Sequence, residues 1–256
     1  MPAFKTSRVA VRDVSTLQRA VRECIDGWGF GPSWRGHCNA AWPLVSSVFR
    51  DGKYPESSLL WEFVLRGASR ALRSPSYDDD LGWLHLAQHY GLPTRLLDWT
   101  ASPLIALYFA TCDSQFDKRD GCIWALDDVS LNGYQTGLRT IHIPEMASVK
   151  SLAAAAFRKE PDGTQLPTFV AISARETDLR MLVQQSTFTL HRDNSDLRKM
   201  ACKKPILKRF MIPRSAKREI RELLTDFGIR TSALFPDLAG LAADLSSYHR
   251  DRELMP

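Results

Sequence analysis

The chain has 256 residues, 44% of them hydrophobic and 25% charged, and carries a net charge of +5 at pH 7. These values indicate one globular domain with a real apolar core. No run approaches the 18 apolar residues of a membrane span, and residues 1–15 lack the apolar stretch of a signal peptide. Five scattered cysteines without a CxxC pair argue against disulfides and structural zinc. We therefore expect a cytoplasmic protein, without a membrane, whose positive charge favours an anionic partner or is simply a slightly basic surface.

Hydrophobic periodicity and turn residues predict alternating helices and strands. The predicted helices are at 13–26, 56–73 (with Leu60, Phe63, Val64 and Leu72 inward), 80–90, 103 to about 113, 145–157, 174–185 and 217–227, with a closing helix after 231. The predicted strands are at 33–37, within 94–100, and at 122–127, 139–143, 168–172, 186–191 and 204–213. Because βαβ spacing is absent, the pattern predicts an α+β single domain with a mixed or antiparallel central sheet flanked by helices.

Polar side chains are concentrated in the apolar segment 87–110, AQHYGLPTRLLDWTASPLIALYFA. Such groups must be paired when they are buried. Ser102-Pro103 is typical of a helix start, whose free N–H groups suit an anion. Internal salt bridges of Arg95 and Asp98 are the alternative. The candidate binding residues of this segment are His89, Thr94, Arg95, Asp98, Trp99, Thr100, Ser102 and Tyr108.

Two other segments also suggest a binding site. In WRGH, Arg35 beside Gly36 suits close approach to a phosphate or carboxylate, although Arg35 can equally be a surface charge. In RMLVQQSTFTLH, Gln184 and Gln185 lie at a helix-to-strand junction, where amides either contact a ligand or satisfy loose backbone groups.

Other classes of site have weaker support. The sequence contains no GxGxxG, P-loop, GxSxG or HExxH motif. His85 and His89 have i, i+4 spacing, but no third ligand is suitably spaced, so no metal is expected. A basic segment is the candidate nucleic-acid surface, with a solvated charged stretch as its alternative; its residues are Lys208, Arg209, Arg214, Lys217 and Arg218.

These segments together resemble the FRG domain family, which is named after a Phe-Arg-Gly motif. Here the motif is Trp34-Arg35-Gly36, and Ser186 stands where the family usually has Gly. The resemblance covers residues 30–245, preceded by a helical lead-in at 1–29 and followed by a tail at 246–256. It implies a bacterial toxin–antitoxin or anti-phage setting, with an antitoxin as a possible partner.

The order of the motifs also resembles that of ADP-ribosyltransferases, which implies their fold, NAD as substrate and transfer to a macromolecule, with RNA or DNA favoured. The resemblance assigns catalysis to Arg35, Thr100, Gln185 and Asp98, with Gln185 in the place of the usual Glu. Either Asp98 or Glu176 is the carboxylate that could substitute for that Glu. It assigns Arg35 to the diphosphate or nicotinamide ribose. The residues it assigns to NAD binding are Arg35, Gly36, His89, Thr94, Arg95, Trp99, Ser102 and Tyr108.

Two other functions fit the same residues. The first is a sensor module that binds a nucleotide or a phage component through His89, Arg95 and Asp98 and performs no chemistry. The second is a metal-independent nuclease that uses His89 with Arg95.

Overall fold

The computed structural model describes residues 3–253 except 51, 53, 72, 160–162, 164 and 174. Leu72 and the first residue of the helix predicted at 174–185 therefore lie outside the described residues, as do both chain ends. Within the described part, no helix has the length and apolar character needed to cross a membrane.

The described residues form a seven-stranded mixed sheet with helices. The strands are β1 (Phe4–Thr6), β2 (Ser33–His37), β3 (Leu96–Thr100), β4 (Gly121–Leu126), β5 (Phe169–Ile172), β6 (Ser186–His191) and β7 (Leu207–Ile212). The α-helices are α1 (Val14–Trp28), α2 (Ser47–Arg50), α3 (Glu56–Gly67), α4 (Asp80–His89), α5 (Pro103–Thr111), α6 (Asp128–Thr136), α7 (Ala147–Ala156), α8 (Leu179–Val183), α9 (Lys217–Asp226), α10 (Thr231–Leu234) and α11 (Leu238–Glu253).

The strand order is β1-β7-β4-β2-β3-β6-β5. β1 is parallel to β7, and every other neighbouring pair is antiparallel. The predicted mixed sheet is therefore confirmed. β1 was not predicted, because three residues are too few to show a period.

Helices pack on one face of the sheet as two separate apolar clusters. One cluster joins α1, α5 and α9 to β2, β4 and β7. The other joins α3, α4 and α7 to β3, β6 and β5. A third cluster, on the opposite face, includes side chains of β3, β4, β5, β7 and α6. The two helical clusters therefore meet at β2 and β3, in the middle of the sheet.

The strand predicted at 139–143 is wrong. In the described part of the chain, this segment makes one isolated bridge, from His142 to Ile172. The side chain of Asn132 occupies the adjoining edge of β5, since its amide accepts from the N–H of Ala171 and donates to the carbonyl of the same residue, both at 2.8 Å. A side chain thus replaces the ladder that a strand would have formed.

Two predicted helices are shorter in the structure. The helix predicted at 56–73 ends at Gly67, and that predicted at 174–185 is limited, within the described residues, to α8. Asp178 caps α8 by accepting from the N–H of Met181 at 2.9 Å. Asp178 itself has extended backbone dihedrals, so the helix begins only after it.

Gly36 allows α5 to pack directly on β2. A Cβ atom at this position would lie 1.9 Å from the carbonyl oxygen of Ala106 and 2.6 Å from the nitrogen of Ala110. Both are backbone atoms of α5, so a side chain can be accommodated only by moving the helix. The resemblance assigns Gly36 to NAD binding, but in the structure the absence of a side chain at Gly36 is explained by its packing against α5.

We expect Gly36→Ala to lower the free energy of unfolding by about 3 kcal/mol or more, because overpacking against backbone has no side-chain rearrangement to relieve it. Urea unfolding followed by circular dichroism measures the change. Gly31→Ala is the matched control, since a Cβ there meets no atom within 4 Å. Equal stability of the two variants would contradict the packing explanation.

Candidate functional site

The sheet is incompletely paired between its two central strands. Among the described residues, β2 and β3 share one register pair, Trp34 with Thr100. By contrast, β2 pairs with β4 along its whole length. We call the unpaired region, residues 35–37 of β2 opposite residues 97–99 of β3, the seam. The seam leaves room for a side chain between the strands.

Arg35 occupies the seam. Its Nη1 donates to the backbone carbonyl of Asp98 at 2.5 Å, and its Nε donates to Nε2 of His37 at 3.1 Å. The nearest carboxylate atom is Oδ2 of Asp98, 3.9 Å from Nη1. The side chain is 17% exposed. Burial lowers the pKa of Arg35 to about 10, although the charge of Asp98 raises it. Arg35 is therefore a cation with weak internal neutralisation.

Neighbouring groups reinforce this positive field. The charge of Arg50 further lowers the pKa of Arg35. No carboxylate of the described residues lies within 4 Å of Arg50, whose Nε donates to the carbonyl of Val45 at 3.0 Å. Two arginines with few counter-charges suit the oxygens of a diphosphate.

Two buried histidines near the seam add no positive charge. Burial, and then the charge of Arg35, holds the pKa of His37 well below its usual value and lowers that of His191 to about 3. Because Nε2 of His37 accepts from Arg35, its proton must be on Nδ1. Among the described residues, Nδ1 of each histidine has no hydrogen-bond partner. The seam is thus rich in donors and poor in acceptors.

The junction between β3 and α5 is fastened to the start of β6. The hydroxyl of Thr100 donates to the carbonyl of Gln184 at 2.7 Å, and the N–H of Ala101 donates to the carbonyl of Gln185 at 3.0 Å. The N–H of Ser102 donates to Thr100 Oγ1 at 3.0 Å, while Ser102 Oγ accepts from Ile105. Gln185 is exposed and has a φ of 47°, in the left-handed region. The structure therefore places Arg35 on β2, Thr100 on the adjacent β3, and Gln185 immediately before β6, the next strand of the sheet.

A groove opens on the helical face of β3. It is lined by His85, Gln88, His89, Asp98, Asp178, Arg180, Met181, Gln184, Ser186 and Phe188. Asp98 lies on its floor and has a side chain that is 61% exposed, although both neighbours in the strand are buried. Gln88 Nε2 donates to Oδ1 of Asp98 at 2.5 Å, and Thr94 donates to the amide oxygen of Gln88. These bonds hold the Asp98 carboxylate towards the groove.

His89 also contributes to this groove, where its Nδ1 lies 3.3 Å from Oδ2 of Asp178. Asp178 and Gln88 were not predicted as site residues. The sequence contains a signal for Asp178, because an Asp immediately before an apolar helical segment is typical of a helix N-cap. In the part of the chain that is described, no group of three or more His, Cys, Asp or Glu side chains is placed to hold a metal ion.

Three other predicted binding residues have internal partners. Arg95 is paired with Glu56 at 2.6 Å and donates to the carbonyl of Leu152 at 3.0 Å, which corresponds to the internal salt bridge considered as the alternative. The indole of Trp99 is buried and donates to Thr189. The hydroxyl of Tyr108 lies 2.9 Å from that of Thr231 on α10.

The structure does not bring the predicted basic residues together. Lys208 and Arg209 are adjacent on β7 and therefore point to opposite faces of the sheet. Lys217 is buried and donates to the carbonyls of Cys38 and Phe116. Arg218 lies 3.8 Å from Glu222 on the surface of α9, and the backbone N–H of Arg214 donates to Asp120. These residues do not form one continuous basic surface.

A buried carboxyl group, which the sequence did not single out, lies on the face of the sheet opposite the two helical clusters. Asp128 accepts from the hydroxyl of Ser33 at 2.6 Å, and Ser33 Oγ lies 2.9 Å from Thr187 Oγ1. Burial raises the pKa of Asp128 to about 7. The carboxyl group is therefore protonated in much of the folded population near neutral pH.

We expect Asp128→Asn to remove a pH dependence of stability. Because the unfolded carboxyl ionises near pH 4 and the folded one near 7, wild type loses stability as pH rises between these values. Below pH 4 the two proteins should differ little. At pH 7 the free energy of unfolding of the variant, measured relative to wild type, should be a few kcal/mol higher than it is below pH 4. Urea unfolding at pH 4, 5.5 and 7 measures the difference, and a constant difference would contradict it.

Residues 32–119 match the model of the FRG domain family. The match covers about a third of the chain and runs from before Arg35 to beyond α5. It supports the FRG resemblance over this segment. Neither the curated proteins nor the solved structures include a significant match to the chain.

Proposed function

We propose that the chain is a toxin-like ADP-ribosyltransferase that uses NAD to modify a macromolecule in a bacterial toxin–antitoxin or anti-phage setting. The observation that carries the proposal is Arg35 in the seam. A partly buried, weakly neutralised guanidinium near Arg50 suits the NAD diphosphate. The net charge of +5 favours a nucleic-acid acceptor.

The arrangement of the strands supports the assignment of roles. Arg35 on β2, Thr100 on β3 and Gln185 before β6 follow the motif order of the resemblance, and these strands are neighbours. In the proposed reaction the bond between ribose C1′ and the nicotinamide nitrogen breaks, which leaves a positively charged ribosyl centre. The carboxylate of Asp98, exposed on the groove floor, supplies the negative charge that the neutral Gln185 lacks.

A nucleotide-binding sensor without chemistry is the second candidate. It is favoured by Gln185 itself, because a neutral amide stabilises a ribosyl cation less than a carboxylate does. The two candidates share the binding of NAD and differ in its turnover.

The test is incubation of the purified chain with NAD labelled in its adenosine part, with and without total RNA and lysate protein. A transferase releases nicotinamide and transfers the label to one of these fractions. Binding of NAD by calorimetry without release of nicotinamide would support the sensor. Absence of release would overturn the transferase, and absence of both binding and release would overturn both candidates.

A further inference from the structure

His89 and Asp178 form a fixed pair at one side of the groove. One carboxylate oxygen of Asp178 caps α8 by accepting from Met181, and the other lies 3.3 Å from Nδ1 of His89. The cap restrains the carboxylate, which lies beside the imidazole at ion-pair distance. Among the described residues, Nε2 of His89 has no hydrogen-bond partner. This nitrogen is free to accept a proton.

A second histidine points to a ligand in the same groove. His85 is 8% exposed and lines the groove one helical turn before His89. Burial lowers its pKa to about 4, so its ring is neutral. Its Nε2 has no partner among the described residues, which is costly for a buried polar atom. A polar group of a bound molecule would satisfy it.

The groove adjoins the seam through Asp98. Arg35 donates to the backbone carbonyl of this residue, while its carboxylate forms the groove floor. The charged or titratable groups around His89 are Asp98 on β3, His85 on α4, and Asp178 and Arg180 at the start of α8.

We propose that the groove receives a hydroxyl group of the acceptor and that His89, oriented by Asp178, is the general base that activates it. This inference rests on the proposed function. The acceptor oxygen bonds to ribose C1′ as the bond from C1′ to nicotinamide breaks. Nicotinamide leaves with that electron pair as a neutral molecule, and the hydroxyl proton moves to Nε2 of His89. Asp178 stabilises the resulting imidazolium.

A hydroxyl acceptor follows from the kind of base present. An alcohol is a weak nucleophile until its proton is removed, and an imidazole with a carboxylate 3.3 Å from its other nitrogen is suited to that removal. An orienting carboxylate would add little for an acceptor that is already nucleophilic.

The test compares wild type, His89→Ala and Asp178→Asn for label transfer from NAD to total RNA and lysate protein. We expect His89→Ala to lower transfer by about 100-fold or more, with the affinity for NAD changed less than threefold. Imidazole in the buffer should restore part of the transfer in this variant. Asp178→Asn should lower transfer less and should not respond to imidazole.

Two controls separate catalysis from structure. Tyr90→Phe alters the residue that follows His89 and should transfer at the wild-type rate. Arg35→Ala should not be rescued by imidazole.

The outcomes are distinct from those of the proposed function. If wild type transfers label and His89→Ala transfers it equally well, the general base is wrong while the transferase assignment stands. Loss of transfer without imidazole rescue, together with weaker NAD binding, would also overturn the general base. If wild type releases no nicotinamide, both proposals fail.

Discussion

Arg35→Ala should lower the rate of nicotinamide release by about 100-fold or more, because a preorganised cation at the diphosphate is lost from a partly buried site. Arg35→Lys should recover little, since an ammonium group cannot donate to both Asp98 and His37 as the guanidinium does. Release of nicotinamide from labelled NAD, followed over substrate concentration, measures both effects.

The interpretation of this result requires a stability control, because Arg35 also has a structural role. Its Nη1 satisfies the carbonyl of Asp98 in the seam, where the ladder is interrupted. Thermal unfolding of each variant shows whether the protein remains folded at the assay temperature. Arg70→Ala removes an exposed arginine elsewhere and should leave nicotinamide release unchanged. A folded Arg35→Ala protein with wild-type turnover would contradict the assignment.

Arg95→Met should lower the free energy of unfolding by about 3–5 kcal/mol, because it leaves the carboxylate of Glu56 without its cation in a poorly hydrated position. The two side chains are 6% and 10% exposed, and their closest contact is 2.6 Å. Urea unfolding at pH 7 measures the loss.

The double variant Arg95→Met with Glu56→Leu gives the sharper comparison. Removing both charges should return most of the lost stability, since the desolvation cost disappears with the pair. The folded double variant should also release nicotinamide at the wild-type rate if Arg95 is purely architectural. Loss of NAD binding in a stable double variant would instead support the binding role that the sequence resemblance implies.

Local patterns predicted most of the fold because periodicity and turn residues act at short range. The strand at 33–37 and the strand at 186–191 agree with β2 and β6 to the residue. The prediction at 139–143 failed because a side chain, Asn132, bonds to the edge of β5 that the segment would have joined. No periodicity in the segment itself contains that information.

The sequence predicted which types of residue form the candidate site, but it did not predict which other residues each of them contacts. Arg35 and Asp98 were predicted separately, and only the register of β2 and β3 brings them together. Arg95 was assigned to a ligand because its partner, Glu56, is 39 residues away in the sequence. Whether a polar residue binds a ligand or an internal partner depends on such distant contacts.

The seam also has a mechanical consequence. On the helical face, the two halves of the sheet have separate apolar clusters, whereas on the opposite face one cluster joins them through β3 and β4. Rotation of the halves about the joined face would disturb neither helical cluster, and would strain the pair of Trp34 and Thr100 together with the bond from Arg35 to the carbonyl of Asp98. The width of the seam, and not that of the groove, whose lining lies wholly on the β3–β6 side, is therefore the dimension of this molecule that can change with the least loss of apolar contact.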